Sequence, residues 1–255
     1  MSDTSIPSGS VSTVPPCKTR GGAGTNEREA QRLARLTGFL FLVTYATSIP
    51  ALFVFYAPAL NDPAFVLGEG FSRSIAIGAI LEMVLIVANI GTALTLYPVL
   101  RRSSGILAPA FVAARIIESG LISVGIVALM ALNTLRAGTS GVDPAAMTAV
   151  GAALVALHDW TFRLGPGVVV GIGNGLILGW MMWRARLVPR SLSVLGLIGG
   201  PSLLLAGVAV MLGRIEAGST WQVVATVPEF FWELFLGLWL LARGFDRTAL
   251  QRLRP

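Results

Sequence analysis

Six stretches of roughly twenty predominantly apolar residues, separated by short polar or basic connections, leave this chain few folds to choose from. Such a run is long enough for an α-helix to cross the ~30 Å hydrocarbon layer of a bilayer. In that layer a helix satisfies its own backbone hydrogen bonds, which an open strand cannot do. The runs cover residues 36–56, 74–96, 106–132, the stretch from the Gly165-Pro166-Gly167 break to Trp183, 191–212 and 221–241. An all-α, six-transmembrane-helix bundle is therefore expected.

Composition agrees. Of 255 residues 54% are hydrophobic and 13% charged, whereas soluble domains carry about 25% charged residues. The net charge of +6 could point to nucleic acid, but the chain has a single lysine, Lys18, and most arginines flank apolar runs. That placement is a topology signal and argues against a nucleic-acid partner. The lone cysteine, Cys17, excludes an intramolecular disulfide and any multi-cysteine metal or redox site. The first apolar run starts too late for a cleaved signal peptide and should remain as a signal anchor.

Residues 1–30 are rich in Ser, Thr, Pro, Gly and charge and are expected to form a flexible tail before a membrane domain over 31–246, with 247–255 as a basic tail. Pro50 suggests a kink in the first span. Tyr97-Pro98 and Arg101-Arg102 close the second span, and Ser103-Ser104-Gly105 turns into the third. After Thr139-Ser140-Gly141, Asp143-Pro144 reads as a helix start with proline at its first position. The apolar segment 145–157 is too short to cross and is expected to be an extra external helix, interfacial or re-entrant, before the fourth span. In the fifth span Gly199-Gly200-Pro201 suggests a mid-membrane break or hinge.

The fourth run carries Gly167, Gly171, Gly175 and Gly179, one every fourth residue, so one side of that helix is open to a close neighbour. Packing within the bundle and packing against a second copy are both open, so a homo-oligomer is one outcome. All basic residues except Arg73, Arg115, Arg136, Arg163 and Arg214 fall on one side of the six-span arrangement. By the positive-inside rule both termini are expected in the cytoplasm, in a multi-pass protein of the inner (plasma) membrane.

The order and spacing of several short motifs give a family resemblance. They are Arg35-x-x-Gly38, Leu96-Tyr97-Pro98-Val99-Leu100-Arg101, Ala114-Arg115-x-x-Glu118, His158-Asp159-Trp160-Thr161-Phe162, Leu164-Gly165-Pro166-Gly167, Leu187-Val188-Pro189-Arg190, and Glu233 with Gly237-Leu238-Trp239-Leu240. Over roughly residues 30–246 the chain resembles the bacterial multi-pass membrane family catalogued as domain of unknown function 4386. The resemblance implies a small helical membrane protein and brings no catalytic residues with it.

Ionisable groups inside spans cost about 2.5–3.5 kcal/mol each on insertion scales and need a reason. This chain keeps Glu82, Arg115, Glu118, Glu229 and Glu233, with Asn89 and Asn174 as further polar groups. Glu82 and Asn89 share a face, Arg115 and Glu118 are spaced to pair, and Glu233 lies one turn beyond Glu229. Counted along the helices most of these reach similar depth, which suggests a midplane carboxylate cluster able to pass protons, cations or a small solute. Four ionised glutamates against one arginine would be strongly unbalanced, so at least one should be protonated or face a cation or water. The competing expectation is that these residues only bond helices together. His158, beside Asp159, is expected at the external surface, either sensing pH or anchoring the interface.

No H-E-x-x-H, G-x-S-x-G, G-x-G-x-x-G or P-loop pattern is present, and one histidine cannot build the usual multi-histidine metal site. The chain is accordingly expected to be no enzyme and to hold no cofactor or metal; an acid–base pair of Glu118 with His158 is the weaker, enzymatic alternative.

Overall fold

A computed structural model describes residues 21–138 and 141–253. Cys17, Lys18, Thr139-Ser140, Arg254 and most of the expected N-terminal tail lie outside them. Among the described residues the chain is helical with no strand. Six helices are long and apolar enough to cross a membrane: Asn26–Phe55, Arg73–Ser103, Leu107–Ala137, Pro144–Ala185, Arg190–Met211 and Thr220–Ala242. The chain is thus a multi-pass helical membrane protein, and large apolar side chains such as Phe53, Val87, Val127 and Leu205 face outward, as lipid contact requires.

Helix α1 spans Gly21–Pro50 and continues through a wider π-helical turn, Ala51–Phe55, so the expected kink at Pro50 takes the form of a widened turn. Its start at Gly21 shortens the expected tail by ten residues, and Ala30 and Ala34 are already in the core. A short helix α2 (Ala57–Asn61) and a 3-10 turn (Phe65–Leu67) lead to α3 (Arg73–Ser103) and α4 (Leu107–Ala137). Ser104 makes the turn between α3 and α4, its hydroxyl accepting from Leu107 N at 3.2 Å.

Helix α5 (Pro144–Leu164) starts where Asp143-Pro144 suggests: the Asp143 carboxylate accepts from Ala145 N and Ala146 N, both at 3.3 Å. The expectation of a separate short helix over 145–157 is corrected. No turn forms at Gly165-Pro166-Gly167; the chain winds on as π-helix over Gly165–Val169 and Gly171–Leu178, then as α6 (Gly179–Ala185). Pro166 cannot donate, and five glycines between 165 and 175 remove the side chains that would resist a wider turn. Arg186, at φ 55°, ends α6 in the left-handed conformation.

Helix α7 (Arg190–Met211) runs unbroken through Pro201, correcting the expected mid-membrane break, and α8 (Thr220–Ala242) follows. The stretch taken as a C-terminal tail forms α9 (Arg247–Arg252), capped by Asp246 through Ala249 N at 2.8 Å. Ala249 and Leu250 are buried there.

Two apolar clusters hold the bundle. The larger joins Phe41, Leu96, Leu100, Phe111, Met182, Trp232, Leu236 and Leu240 near the end where α1 begins and α9 docks. The smaller, around Tyr56, Val66, Ile75, Leu129 and Met147, closes the opposite end under the α1–α3 connection. Between them the glycine seam lies inside the bundle. A Cβ added at Gly171 would sit 2.7 Å from Gly200 O, and one at Gly175 2.6 Å from Gly200 N. The close approach expected of this ladder therefore joins the fourth span to α7. Gly167 and Gly179 are looser, with nearest contacts of 3.7 and 3.4 Å.

Candidate functional site

The third span supplies an ion pair at the heart of the bundle. Arg115 and Glu118, one turn apart on α4, are both buried, and Arg115 Nη1 donates to Glu118 Oε2 at 2.8 Å. The second glutamate oxygen, Oε1, accepts from Asn89 Nδ2 of α3 at 2.8 Å. Each Glu118 oxygen thus holds a donor. The guanidinium lies 5.5 Å from the Phe41 ring centre and 5.9 Å from that of Phe111, and its Nη2 reaches Glu233 Oε1 of α8 at 3.5 Å. One arginine therefore serves carboxylates on two helices, the nearer one more tightly.

Glu229, one turn before Glu233, is in a different position. It is 2% exposed, and neither carboxylate oxygen has a hydrogen-bond partner. Glycine surrounds it: a Cβ at Gly175 or at Gly199 would lie 2.7 Å from Glu229 Oε2. The fourth span, α7 and α8 approach closely enough here to leave room for a carboxylate and to supply no side-chain donor. Glu229 also feels the charges of Glu233, Arg115 and Glu118.

Asn174 is the second polar group in this region with nothing to bond. It is 1% exposed, and both amide atoms lack partners, although its backbone carbonyl accepts from Trp232 Nε1 at 3.1 Å. A Cβ on the residue before it, Gly173, would meet Ala114 of α4; one on the residue after it, Gly175, would meet Glu229. Asn174 thus stands between a residue that meets α4 and one that meets Glu229, while its own amide makes no hydrogen bond to that carboxylate.

Glu82 does not join this group, which corrects the expectation of a single cluster. It accepts from Tyr56 Oη at 3.0 Å, and the Tyr56 ring meets His158 edge-on at 5.5 Å between centroids. This second polar layer is about 10 Å from the first along α3, the length of seven helical residues between Glu82 and Asn89. His158 is also not the surface residue expected: it is 2% exposed, with its Cδ2 3.3 Å from where a Cβ on Gly125 would lie. Its Nδ1 has no hydrogen-bond partner and stands 3.7 Å from Asp159 Oδ1. Asp159 is partly exposed, pairs with Arg163 at 3.5 Å, and lines a groove of about 190 Å³ with Asp62, Val66 and Val155.

Tyr56 and Trp232 are the residues sequence reasoning missed. An aromatic side chain in an apolar run carries no signal that its one polar atom is engaged. Tyr45 is similar, donating to Phe230 O at 2.7 Å. Gly199 and Gly200 serve as a packing surface, with Pro201 inside the same unbroken helix: Gly199 lies against Glu229, Gly200 against Gly175, and Ser202 Oγ donates to Gly199 O at 2.9 Å and to Ala225 O at 2.8 Å. Among the described residues no three His, Cys, Asp or Glu side chains converge as a metal site would require.

A family model described as domain of unknown function (DUF4386) matches residues 36–244. No curated protein and no solved structure matches the chain.

Proposed function

We propose a role in proton or small-cation movement for this chain, which belongs to the DUF4386 family, with Glu229 as the group that binds and releases the charge. The observation that carries this reading is Glu229 itself, buried with both oxygens unpartnered against Gly175, whose neighbour in sequence, Asn174, has an equally unpartnered amide. An ionised carboxylate left without a partner at such a place is disfavoured by several kcal/mol. A carboxyl that stays there is neutral, or it meets a cation that supplies the missing charge. Glu233 offers a second carboxylate one turn away, and the Asn174 carbonyl oxygen a neutral ligand.

Arg115 opposes a positively charged cargo only in a limited way: it neutralises Glu118 and leans on Glu233, so Glu229 is the group left to titrate or coordinate. His158 and Asp159 form the outer arm of this reading, passing a proton between the groove and Tyr56–Glu82. The arginine distribution supports both termini in the cytoplasm of a plasma-membrane protein, so that this groove opens outside.

A second reading is favoured by one specific observation. Glu118 is satisfied on both oxygens, by Arg115 and by Asn89. That triad has the character of a bond holding α3 to α4, with no role in a pathway.

The deciding experiment is ion flux in proteoliposomes under an imposed pH or cation gradient. Glu229→Gln removes the titratable oxygen while keeping the side-chain volume, and it should abolish the flux of the wild-type protein. Equal flux in both, or no wild-type flux above protein-free liposomes, sinks the proposal and leaves the structural reading.

A further inference from the structure

We propose that the end of the bundle where α1 begins and α8 ends binds the paired phosphates of an anionic membrane lipid, seated on Arg28, Arg32, Arg35, Arg243 and Arg247. These five arginines wall a cavity of about 570 Å³, with Glu27 as the acidic side chain in its lining. Glu27 pairs with Arg247 Nε at 3.9 Å, and that arginine is 81% exposed, so its guanidinium still presents surface to another anion. Guanidinium groups bond phosphate oxygens in pairs, and five around one cavity match a ligand with more than one phosphate charge.

The floor beneath these arginines is built. The Gln31 side chain bonds both backbone groups of Phe245, donating to its carbonyl at 2.7 Å and accepting from its N–H at 3.0 Å. Asp246 caps α9, and Ala249 and Leu250 pack into the core with Ala30 and Ala34. Helix α1 and the α8–α9 corner are thereby fixed to each other, and arginines from both elements keep their relative places.

What points to a lipid, and not to a phosphate compound in solution, is how the same surface continues. Arg28, Arg32 and Arg35 recur at helical spacing on one face of α1, and the next residue along that face is Phe39, 53% exposed, with Leu36 beside it at 46%. On α8, Leu238 and Leu241 are also exposed just before Arg243. The face therefore passes from basic to apolar within one turn, as the boundary between headgroups and hydrocarbon does. Phosphates on the arginines would lay acyl chains over Phe39 and Leu241. Basic pockets among spans bind multiply charged lipid headgroups in this manner. The inference is independent of the charge-moving role assigned to Glu229.

The test places the full chain in phosphatidylcholine nanodiscs with cardiolipin, whose glycerol bridges two phosphates, and measures lipid retained on extraction by native mass spectrometry. The wild type should keep cardiolipin in preference to phosphatidylcholine. The triple variant R28Q/R32Q/R247Q should bind it about 100-fold more weakly, at roughly five-fold per arginine removed. The melting temperature checks that these exposed substitutions leave the fold intact. Arg214→Gln, at the opposite end, should change nothing. Equal retention by the wild type and the triple variant would overturn the proposal, as would an equal loss from Arg214→Gln. An inorganic pyrophosphate affinity as high as that for cardiolipin would overturn the lipid assignment and leave a site for soluble phosphates.

Discussion

Gly199 brings α7 so close to Glu229 that a methyl group at position 199 would lie 2.5 Å from the Glu229 backbone nitrogen and 2.7 Å from its Oε2. The first neighbour is backbone, so it cannot rotate away, and the two helices must separate. Gly199→Ala should therefore destabilise the protein by about 1–3 kcal/mol, the usual range for an overpacked core. Gly167→Ala is the control within the same seam, since its Cβ would meet only Phe162 O at 3.7 Å. That variant should be neutral or more stable by up to about 1 kcal/mol, because alanine loses less backbone entropy than glycine in a helix. Denaturant titration in detergent, run on both, distinguishes them; similar losses would mean that the Gly199 contact is not what holds α7 on α8.

Arg115 is the cation that Glu118 and Glu233 share. Replacing it with methionine leaves the buried Glu118 and the partly buried Glu233 without it, which should cost about 3–5 kcal/mol. The double variant R115M/E118L removes the more tightly held acid as well and should recover part of that loss, although Asn89 then loses its acceptor. A double variant no more stable than R115M in the same unfolding assay would show that the 2.8 Å pair contributes nothing beyond its packing.

Tyr56→Phe deletes the donor to Glu82 and keeps the ring that meets His158. A buried acceptor left unpaired costs about 1–3 kcal/mol, so Y56F should lower stability by that amount. Adding Glu82→Leu to it should restore most of the loss, since neither polar partner then remains. Thermal unfolding of the single and double variants reads this directly. If Y56F melts with the wild type, the 3.0 Å contact between Tyr56 and Glu82 carries no stability.

The helices were legible because each apolar run matches a bilayer's thickness, and the Asp143-Pro144 start was legible because a capping carboxylate and a proline act locally. The Arg115/Glu118 pair followed from spacing alone. Depth counted from span ends, however, says nothing of how neighbouring helices are staggered. Glu82 and Glu118 count to similar levels, yet it is Asn89, seven residues beyond Glu82 on the same face of α3, that meets Glu118, which leaves Glu82 about 10 Å away with Tyr56. The π-helical turns after Leu164 were hidden for a related reason. Pro166 and its glycines mark a weak backbone, and whether such a backbone breaks or widens is decided by the neighbours packed against it, here Leu121 and Gly200. His158 was assigned to the surface because the helix before it looked too short to span. Once α5 runs on into the fourth span, the same residue falls inside the bundle.

Asn174 separates a structural use of the seam from a functional one. Its amide is buried with neither atom bonded, a state that costs about 1–3 kcal/mol relative to an amide in water. Leucine has nearly the same shape and nothing to satisfy, so Asn174→Leu should raise stability by about 1 kcal/mol or more. Its effect on ion flux in proteoliposomes should be opposite, because the unbonded polar group next in sequence to Gly175, which Glu229 touches, is gone. A polar residue retained at a cost in stability and needed for flux belongs to a site; one whose removal lowers stability was bonding helices. The two measurements on one variant give four combinations, and only higher stability with lost flux fits the role assigned to Glu229 and its surroundings. Lower stability with flux unchanged would make Asn174 a packing residue and remove it from the proposed site.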